Sequence, residues 1–113
     1  MKKNIENMTQ EVVSIFKEYD KQGTKTWDYT IATMDLSYQL GSLAKRVGQL
    51  NGTRYNDKLT PEAIKAYISD ELADIIAEVL FIANDLNIDI ESSWDNMLAS
   101  DKTKISQRTG NGT

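Results

Sequence analysis

The chain has 113 residues, 40% of them hydrophobic and 27% charged, a composition typical of one ordinary globular domain. Its formal net charge of −4 argues against a nucleic-acid partner, because binding to phosphate backbones needs a basic surface. Cysteine and histidine are both absent, which excludes disulfides, thiolate catalysis and histidine bases, so hydrolytic chemistry would have to rest on carboxylates and hard cations.

The first predicted element is a helix from Ile5 to Tyr19, where apolar residues recur with a helical period. This N-terminal region lacks the apolar core of a secretory signal, and no segment approaches the roughly 20 apolar residues of a membrane span. We therefore expect a cytoplasmic protein without a membrane partner. The polar, glycine-containing segment from Asp20 to Thr26 is predicted to be a loop.

The second predicted helix, from about Thr26 to Leu50, carries two apolar lines and a polar strip between them. One line has the alternating four- and three-residue spacing of a coiled-coil seam; its members are Leu36, Leu40, Leu43, Val47 and Leu50. The other line consists of Trp27, Ile31, Met34 and Tyr38, and the strip consists of Asp28, Asp35, Gln39, Ser42 and Arg46. Because two apolar lines cannot both face one small core, we expect this helix to contact a second copy of the chain.

The third predicted helix, between Thr60 and Asn87, is the central one. Thr60 before Pro61 is a typical helix start. An apolar stripe follows at helical spacing, made of Ile64, Ile68, Leu72, Ile75, Val79, Ile82 and Leu86. Further apolar residues widen this stripe, so most of the circumference is fit for burial. The remaining polar strip consists of Glu71, Asp74, Glu78 and Asp85, with Tyr67 at its upstream end.

Asp89 is predicted to cap a fourth helix, which runs from Ile90 to about Arg108. Its buried side is expected to contain Trp94, Met97, Leu98 and Ile105. Residues 109–113 are expected to form a flexible tail. The sequence thus predicts one all-α domain over residues 1–108, a four-helix bundle completed by dimerisation.

The polar strip of the third helix consists of carboxylates alone, placed where like charges repel each other at i,i+3 and i,i+4. A divalent cation would compensate this repulsion. Arg46 of the second helix could do so instead, by forming a salt bridge with Glu71 or Asp74. A third interpretation is a solvent-facing strip on a mostly buried helix, where repulsion this small is tolerated.

Glu71 and Asp74 form an E-x-x-D pattern within DELADIIAEVLFIANDLNID, and the helix before it carries LSYQLGSLAKRV. From Trp27 through KTKISQR the chain resembles the MazG-like all-α nucleoside triphosphate pyrophosphohydrolases. That family carries E-E-x-x-E on one helix and E-x-x-D on the next, and these acids hold Mg²⁺ ions that bind the triphosphate and activate water. The resemblance implies hydrolysis of a (d)NTP to the (d)NMP and pyrophosphate. Position by position, it implies Mg²⁺ ligands at Glu71 and Asp74. Glu78, on the same strip, is a further candidate ligand, and Asp35, on the strip of Gln39 and Ser42, could replace a lost one.

The chain departs from the family in the first motif, where Tyr38, Gln39 and Ser42 stand in place of carboxylates. Gln39 and Ser42 are therefore expected to give the substrate only neutral hydrogen bonds. In the region that corresponds to the family's phosphate-binding basic residues, the chain has Lys102, Lys104 and Arg108. These three cations are equally typical of an ordinary helix C-terminus.

The degenerate first motif leaves a second class of function open, a catalytically inactive helical module kept for dimerisation or for binding a partner protein. An acidic regulatory subunit is a third possibility. Trp27 and Trp94 could stack on a nucleobase or could belong to the core or an interface. Which nucleotide would bind does not follow from the sequence.

Overall fold

The computed structural model describes residues 2–23 and 26–111, with side chains as far as residue 108. It contains four α-helices, which are α1 (Ile5–Gln22), α2 (Tyr29–Asn51), α3 (Pro61–Asp85) and α4 (Ile90–Asn111). No strand occurs in the described ranges, so the predicted all-α class is confirmed. Within the same ranges, no helix is long and apolar enough to cross a membrane.

Each helix begins after a side chain that accepts a hydrogen bond from the backbone N–H three residues further on, as helix caps do. The four capping residues are Asn4, Asp28, Thr60 and Asp89. The predicted caps Thr60 and Asp89 are confirmed. α2 begins at Tyr29 rather than near Thr26, because the extended backbone and capping carboxylate of Asp28 fix its start.

Three helix ends differ from the predicted ones by a few residues. α1 continues to Gln22 and stops at Gly23, and residues 24 and 25 of the predicted loop lie outside the described part of the chain. α2 ends before Gly52, whose φ of 84° is the left-handed conformation that favours glycine. α4 runs through Asn111, so the predicted tail 109–113 begins inside a helix, and its last two residues are not among those described.

α2 and α3 pack against each other along their length, and α1 packs on α3. The ring of Phe16 on α1 lies 4.6 Å, centroid to centroid, from that of Phe81 on α3. Among the described residues the buried apolar ones are few, namely Ala32, Ile64, Leu80, Phe81 and Ala83. In the described part of the chain, α4 makes no interface of comparable extent with the other helices, and its side chains from residue 91 to 108 are exposed.

Burial of α3 is less complete than the sequence predicts. Leu72, Val79 and Leu86 of the predicted stripe are 46%, 37% and 42% exposed, whereas Glu78 of the polar strip is only 4% exposed. The reason is geometric, because α2 covers the side of α3 that carries the polar strip. Within one chain, therefore, much of the circumference of α3 stays exposed, although its apolar residues make it fit for burial.

One apolar face of the α2–α3 pair has no cover in the single chain. We call it the α2–α3 apolar face; it consists of Leu40, Val47 and Leu50 of α2 and Leu72, Ile76 and Val79 of α3, each between 37% and 49% exposed. At the helical rotation of about 100° per residue, these residues lie on average roughly 100° from the centre of the polar strip on α2 and roughly 140° from it on α3, in the same rotational sense. Because the helices are antiparallel and the strips face each other, the two sets lie on one side of the pair.

Candidate functional site

The polar strips of α2 and α3 face each other in an antiparallel row. At one end of the row the guanidinium of Arg46 lies over the ring of Tyr67, 3.9 Å from its centroid. In the middle, Ser42 Oγ donates a hydrogen bond of 2.9 Å to Glu71 Oε1. Further along, Asp35 lies within hydrogen-bonding range of Glu78. The structure thus brings together the sequence-predicted site residues of the two helices.

Arg46 forms no salt bridge with the acids of the row. Its Nη1 donates a hydrogen bond of 3.1 Å to Gln49 Oε1, and its guanidinium stacks on Tyr67 as a cation–π contact. The ion pairs found in the described residues, Lys3–Glu11 and Lys21–Glu18, lie elsewhere. The predicted alternative in which Arg46 forms a salt bridge with Glu71 or Asp74 is therefore not what the structure shows.

Two carboxyls in the row have raised pKa values. Burial, followed by the hydrogen bond with Asp35 and the charges of Asp35 and Asp74, raises the pKa of Glu78 to about 8. Loss of solvent, followed by the charges of Glu71, Asp70 and Asp35, raises the pKa of Asp74. Near neutral pH, a proton between Glu78 and Asp35 therefore relieves part of the like-charge repulsion in the row.

A cavity of about 340 Å³ opens beside the acidic end of the row. One wall is aromatic and is made by Phe16 and Tyr19 of α1 and by Trp27, which precedes α2. The backbone N–H of Trp27 donates to Asp20 Oδ1 at 3.0 Å, and its ring meets that of Phe16 edge-on at 5.3 Å. These contacts fix the aromatic wall. The opposite wall is formed by Asp35, Gln39, Asp74, Ala77 and Glu78.

The donor atoms of the row suit Mg²⁺ in kind, because they are hard carboxylate and hydroxyl oxygens. Ser42 engages Glu71 Oε1, while Glu71 Oε2 is buried without a hydrogen-bond partner. Across the described residues, however, no group of three or more acidic side chains is placed to hold a metal ion. Since Mg²⁺ in nucleotide sites often takes one or two carboxylates together with substrate phosphates, the residues fit a Mg²⁺ that arrives with its nucleotide.

The remaining predicted site residues lie apart from the row. Lys102, Lys104 and Arg108 are exposed on α4 and do not line the cavity. Trp94, also on α4, is 59% exposed, whereas Trp27 lies in the cavity wall. The sequence analysis did not identify Phe16 and Tyr19 as site residues. Their i,i+3 spacing, which places two aromatic rings on one helix face, was the pattern that could have indicated them.

The chain was compared with models of protein families, with curated proteins and with solved structures. None of the three comparisons found a match. The MazG-like resemblance therefore rests on the sequence motifs, and the candidate site rests on the chemistry of the row and its cavity.

Proposed function

We propose that this protein is a cytoplasmic, magnesium-dependent nucleoside triphosphate pyrophosphohydrolase of the MazG-like type, which hydrolyses a (d)NTP to the (d)NMP and pyrophosphate. The supporting observation is the position of the carboxylate row. Asp35, Asp74 and Glu78 line a cavity whose other wall is aromatic, and Glu71 continues the row beyond it. A nucleotide needs this combination, because its base stacks on rings and its phosphates need cations to bridge them to acids.

In this proposal Glu71 and Asp74 hold Mg²⁺ jointly with the phosphates, and Ser42 orients the carboxylate of Glu71. When bound, Mg²⁺ supplies neutralisation of phosphate charge and a lower pKa for the attacking water. Asp35 and Glu78 stay candidate ligands, although their mutual hydrogen bond must open for either to bind a metal. Gln39 contributes a neutral amide to the substrate.

The three cations of α4, Lys102, Lys104 and Arg108, are proposed to hold phosphate. Because α4 of the same chain is not packed along α2 or α3, they would reach a phosphate from a second copy of the chain, or after α4 has moved.

The direct test is release of pyrophosphate from a set of dNTPs by the purified protein, with and without Mg²⁺. We expect release only with Mg²⁺, and a loss of at least about a hundredfold in Asp74→Asn and Glu71→Gln, since each removes a ligand charge. Glu62→Gln is the matched control, an exposed acid in the first turn of the same helix. No release above the rate of Asp74→Asn for any dNTP would refute the proposal.

A second candidate function, an inactive helical dimerisation module, is favoured by the α2–α3 apolar face. Six large apolar side chains of this face are 37% to 49% exposed, and large exposed apolar surface often marks a protein-binding site. Both candidates include a homodimer, so assembly does not separate them. Hydrolysis and the response to Mg²⁺ do.

A further inference from the structure

The two walls of the 340 Å³ cavity differ in what they offer a ligand. Phe16, Tyr19 and Trp27 offer ring faces and edges, on which any nucleobase can stack. The opposite wall is polar, and among the residues that the structure describes no lysine or arginine lines the cavity. Selectivity between bases must therefore come from the polar wall.

That polar wall offers mainly hydrogen-bond acceptors. Glu78 is 4% exposed, and its Oε2 has no hydrogen-bond partner supplied by the chain. Gln39 turns its amide Nε2 toward Asp35 Oδ2 at 3.5 Å, which leaves its carbonyl oxygen available. Even with one proton between Asp35 and Glu78, their four oxygens keep several free lone pairs.

From this arrangement we infer that the cavity takes a nucleobase with an exocyclic amino group, whose N–H groups bond to the acceptors of Asp35 and Glu78. These two carboxyls then serve the base, and Mg²⁺ is left to Glu71 and Asp74. The inference rests on the proposed function in that it assumes a nucleotide ligand. Uracil and thymine present a carbonyl oxygen where cytosine presents its amino group. Against this wall, that carbonyl oxygen would face carboxyl oxygens, and the buried acceptors of the wall would stay without a hydrogen-bond donor. A site whose acceptors are placed to receive N–H groups discriminates strongly against a base that lacks them.

Cytidine and uridine form the matched pair of probes, because they differ only in the donor and acceptor pattern at one edge of the base. Both are used as nucleosides, without phosphate or metal, so that Mg²⁺ binding does not enter the result. Trp94→Phe removes the exposed tryptophan of α4 and leaves Trp27, in the cavity wall, as the fluorescent reporter. We expect cytidine to change Trp27 fluorescence with an affinity about tenfold or more above that of uridine, the discrimination that good base-edge hydrogen bonds give.

Asp35→Asn, made in the Trp94→Phe background, tests the assignment to the polar wall. The new amide brings a donor to this position, so we expect the ratio of cytidine to uridine affinity to fall about tenfold. Asp101→Asn on α4 is the matched control and should leave the ratio unchanged. Circular dichroism checks that the variants fold. If Asp35→Asn does not fold, the relative affinity of cytidine and uridine for the Trp94→Phe protein, whose cavity is unchanged, still decides the inference.

Uridine binding as tightly as cytidine, or no response of Trp27 to either nucleoside at millimolar concentration, would overturn the inference. These outcomes are distinct from failure of the proposed function. A protein that releases pyrophosphate equally from all dNTPs keeps the function and loses the selectivity. A protein that binds cytidine selectively but shows no Mg²⁺-dependent hydrolysis keeps the selectivity and loses the proposed function.

Discussion

Glu78 belongs to the polar strip of α3, yet it is one of the most buried residues in the described chain. Its ordinary pKa of 4.5 applies to the unfolded chain, and burial raises the pKa to about 8 in the fold. At a pH between these two pKa values, Glu78 is protonated in the native state and ionised in the unfolded state. Folding stability from this group is therefore fully present below about pH 4.5 and is lost as the pH rises through about 8.

Glu78→Gln should remove this pH dependence, because glutamine keeps the shape of the protonated carboxyl and can donate to Asp35. We expect the variant to match wild type at acid pH and to exceed it by on the order of a few kcal/mol above pH 8. Chemical denaturation across this pH range, with Glu62→Gln as the exposed control, measures the difference. A wild type whose stability rises between pH 5 and 8 relative to Glu78→Gln would contradict the assignment.

The acids of the row also predict a response to metal. Arg46 is engaged by Tyr67 and Gln49, so under the proposed function Mg²⁺ would compensate the charges of Glu71 and Asp74. At a hundredfold excess over its Kd it should stabilise the fold by about 2.7 kcal/mol. For a domain of this size, that corresponds to a rise in Tm of order 10 °C.

Asp74→Asn should abolish the rise in Tm and leave the metal-free protein no less stable than wild type, because one source of repulsion is gone. Thermal melts of both proteins, with and without millimolar Mg²⁺, check this. A flat response in wild type would remove the metal site. Destabilisation of metal-free Asp74→Asn would show that this carboxylate has a favourable partner after all.

At the scale of helices and loops, the α2–α3 connection is held by a buried amide. Gln49, 4% exposed, donates from Nε2 to the Tyr55 carbonyl at 3.2 Å and to Asp57 Oδ2 at 2.9 Å. Asp57 and Lys58 have φ values of 55° and 62°, a conformation that non-glycine residues adopt only when their surroundings impose it. Gln49 therefore helps to keep this loop in a strained conformation.

Gln49→Ala should lower the free energy of unfolding by about 1–3 kcal/mol, because the loop acceptors on Tyr55 and Asp57 and the guanidinium of Arg46 each lose a hydrogen-bond partner. Gln10→Ala, at an exposed position of α1, is the control and should cost under about 0.5 kcal/mol. Urea denaturation of both variants gives the comparison. Equal, small losses would mean that the loop is held by other contacts.

Substitutions at two positions of α3 distinguish a residue that is buried within one chain from a residue that a partner would bury. Ile64 is 2% exposed and Leu72 is 46% exposed, although the apolar period gives them the same predicted role. Ile64→Ala should cost roughly 2–5 kcal/mol at any protein concentration. Leu72→Ala should reach a similar cost only where the protein is dimeric, because a partner that covers Leu72 stabilises the fold by mass action.

Denaturation of both variants at low and high protein concentration measures these costs. Ile75→Ala, at a half-buried position of the same stripe, is expected to fall between them in the dilute protein. A cost for Leu72→Ala that stays below about 1 kcal/mol at every concentration would show that no partner covers this position.

At the scale of the whole molecule, the single chain is less compact than an ordinary domain of its length. Its radius of gyration is 18.2 Å, against roughly 13 Å for a compact domain of this size. In the described part of the chain, α4 makes no interface comparable to α2–α3 or α1–α3, which fits this extended shape, and the α2–α3 apolar face has no cover. A second copy related by a two-fold axis would cover the same face on both chains at once.

We therefore predict a homodimer in light scattering at tens of micromolar, and its dissociation by Leu72→Glu, which places a charge in the α2–α3 apolar face. Tyr38→Glu is the matched control, because Tyr38 is 72% exposed on α2 and lies outside that face. A wild-type monomer at this concentration would remove the prediction. Dissociation by both variants alike would place the interface elsewhere.

The sequence by itself determined the four helices, two of their caps and the two polar strips, because periodicity and capping are local properties of the chain. It could not show which side of α3 faces α2, since a helix apolar around most of its circumference has several sides fit for burial. Only the tertiary structure paired the two strips, which buried Glu78, turned Arg46 onto Tyr67 and left Leu72 exposed. The aromatic wall was likewise decided by packing, because Phe16, Tyr19 and Trp27 meet the carboxylates only when α1 lies on α3.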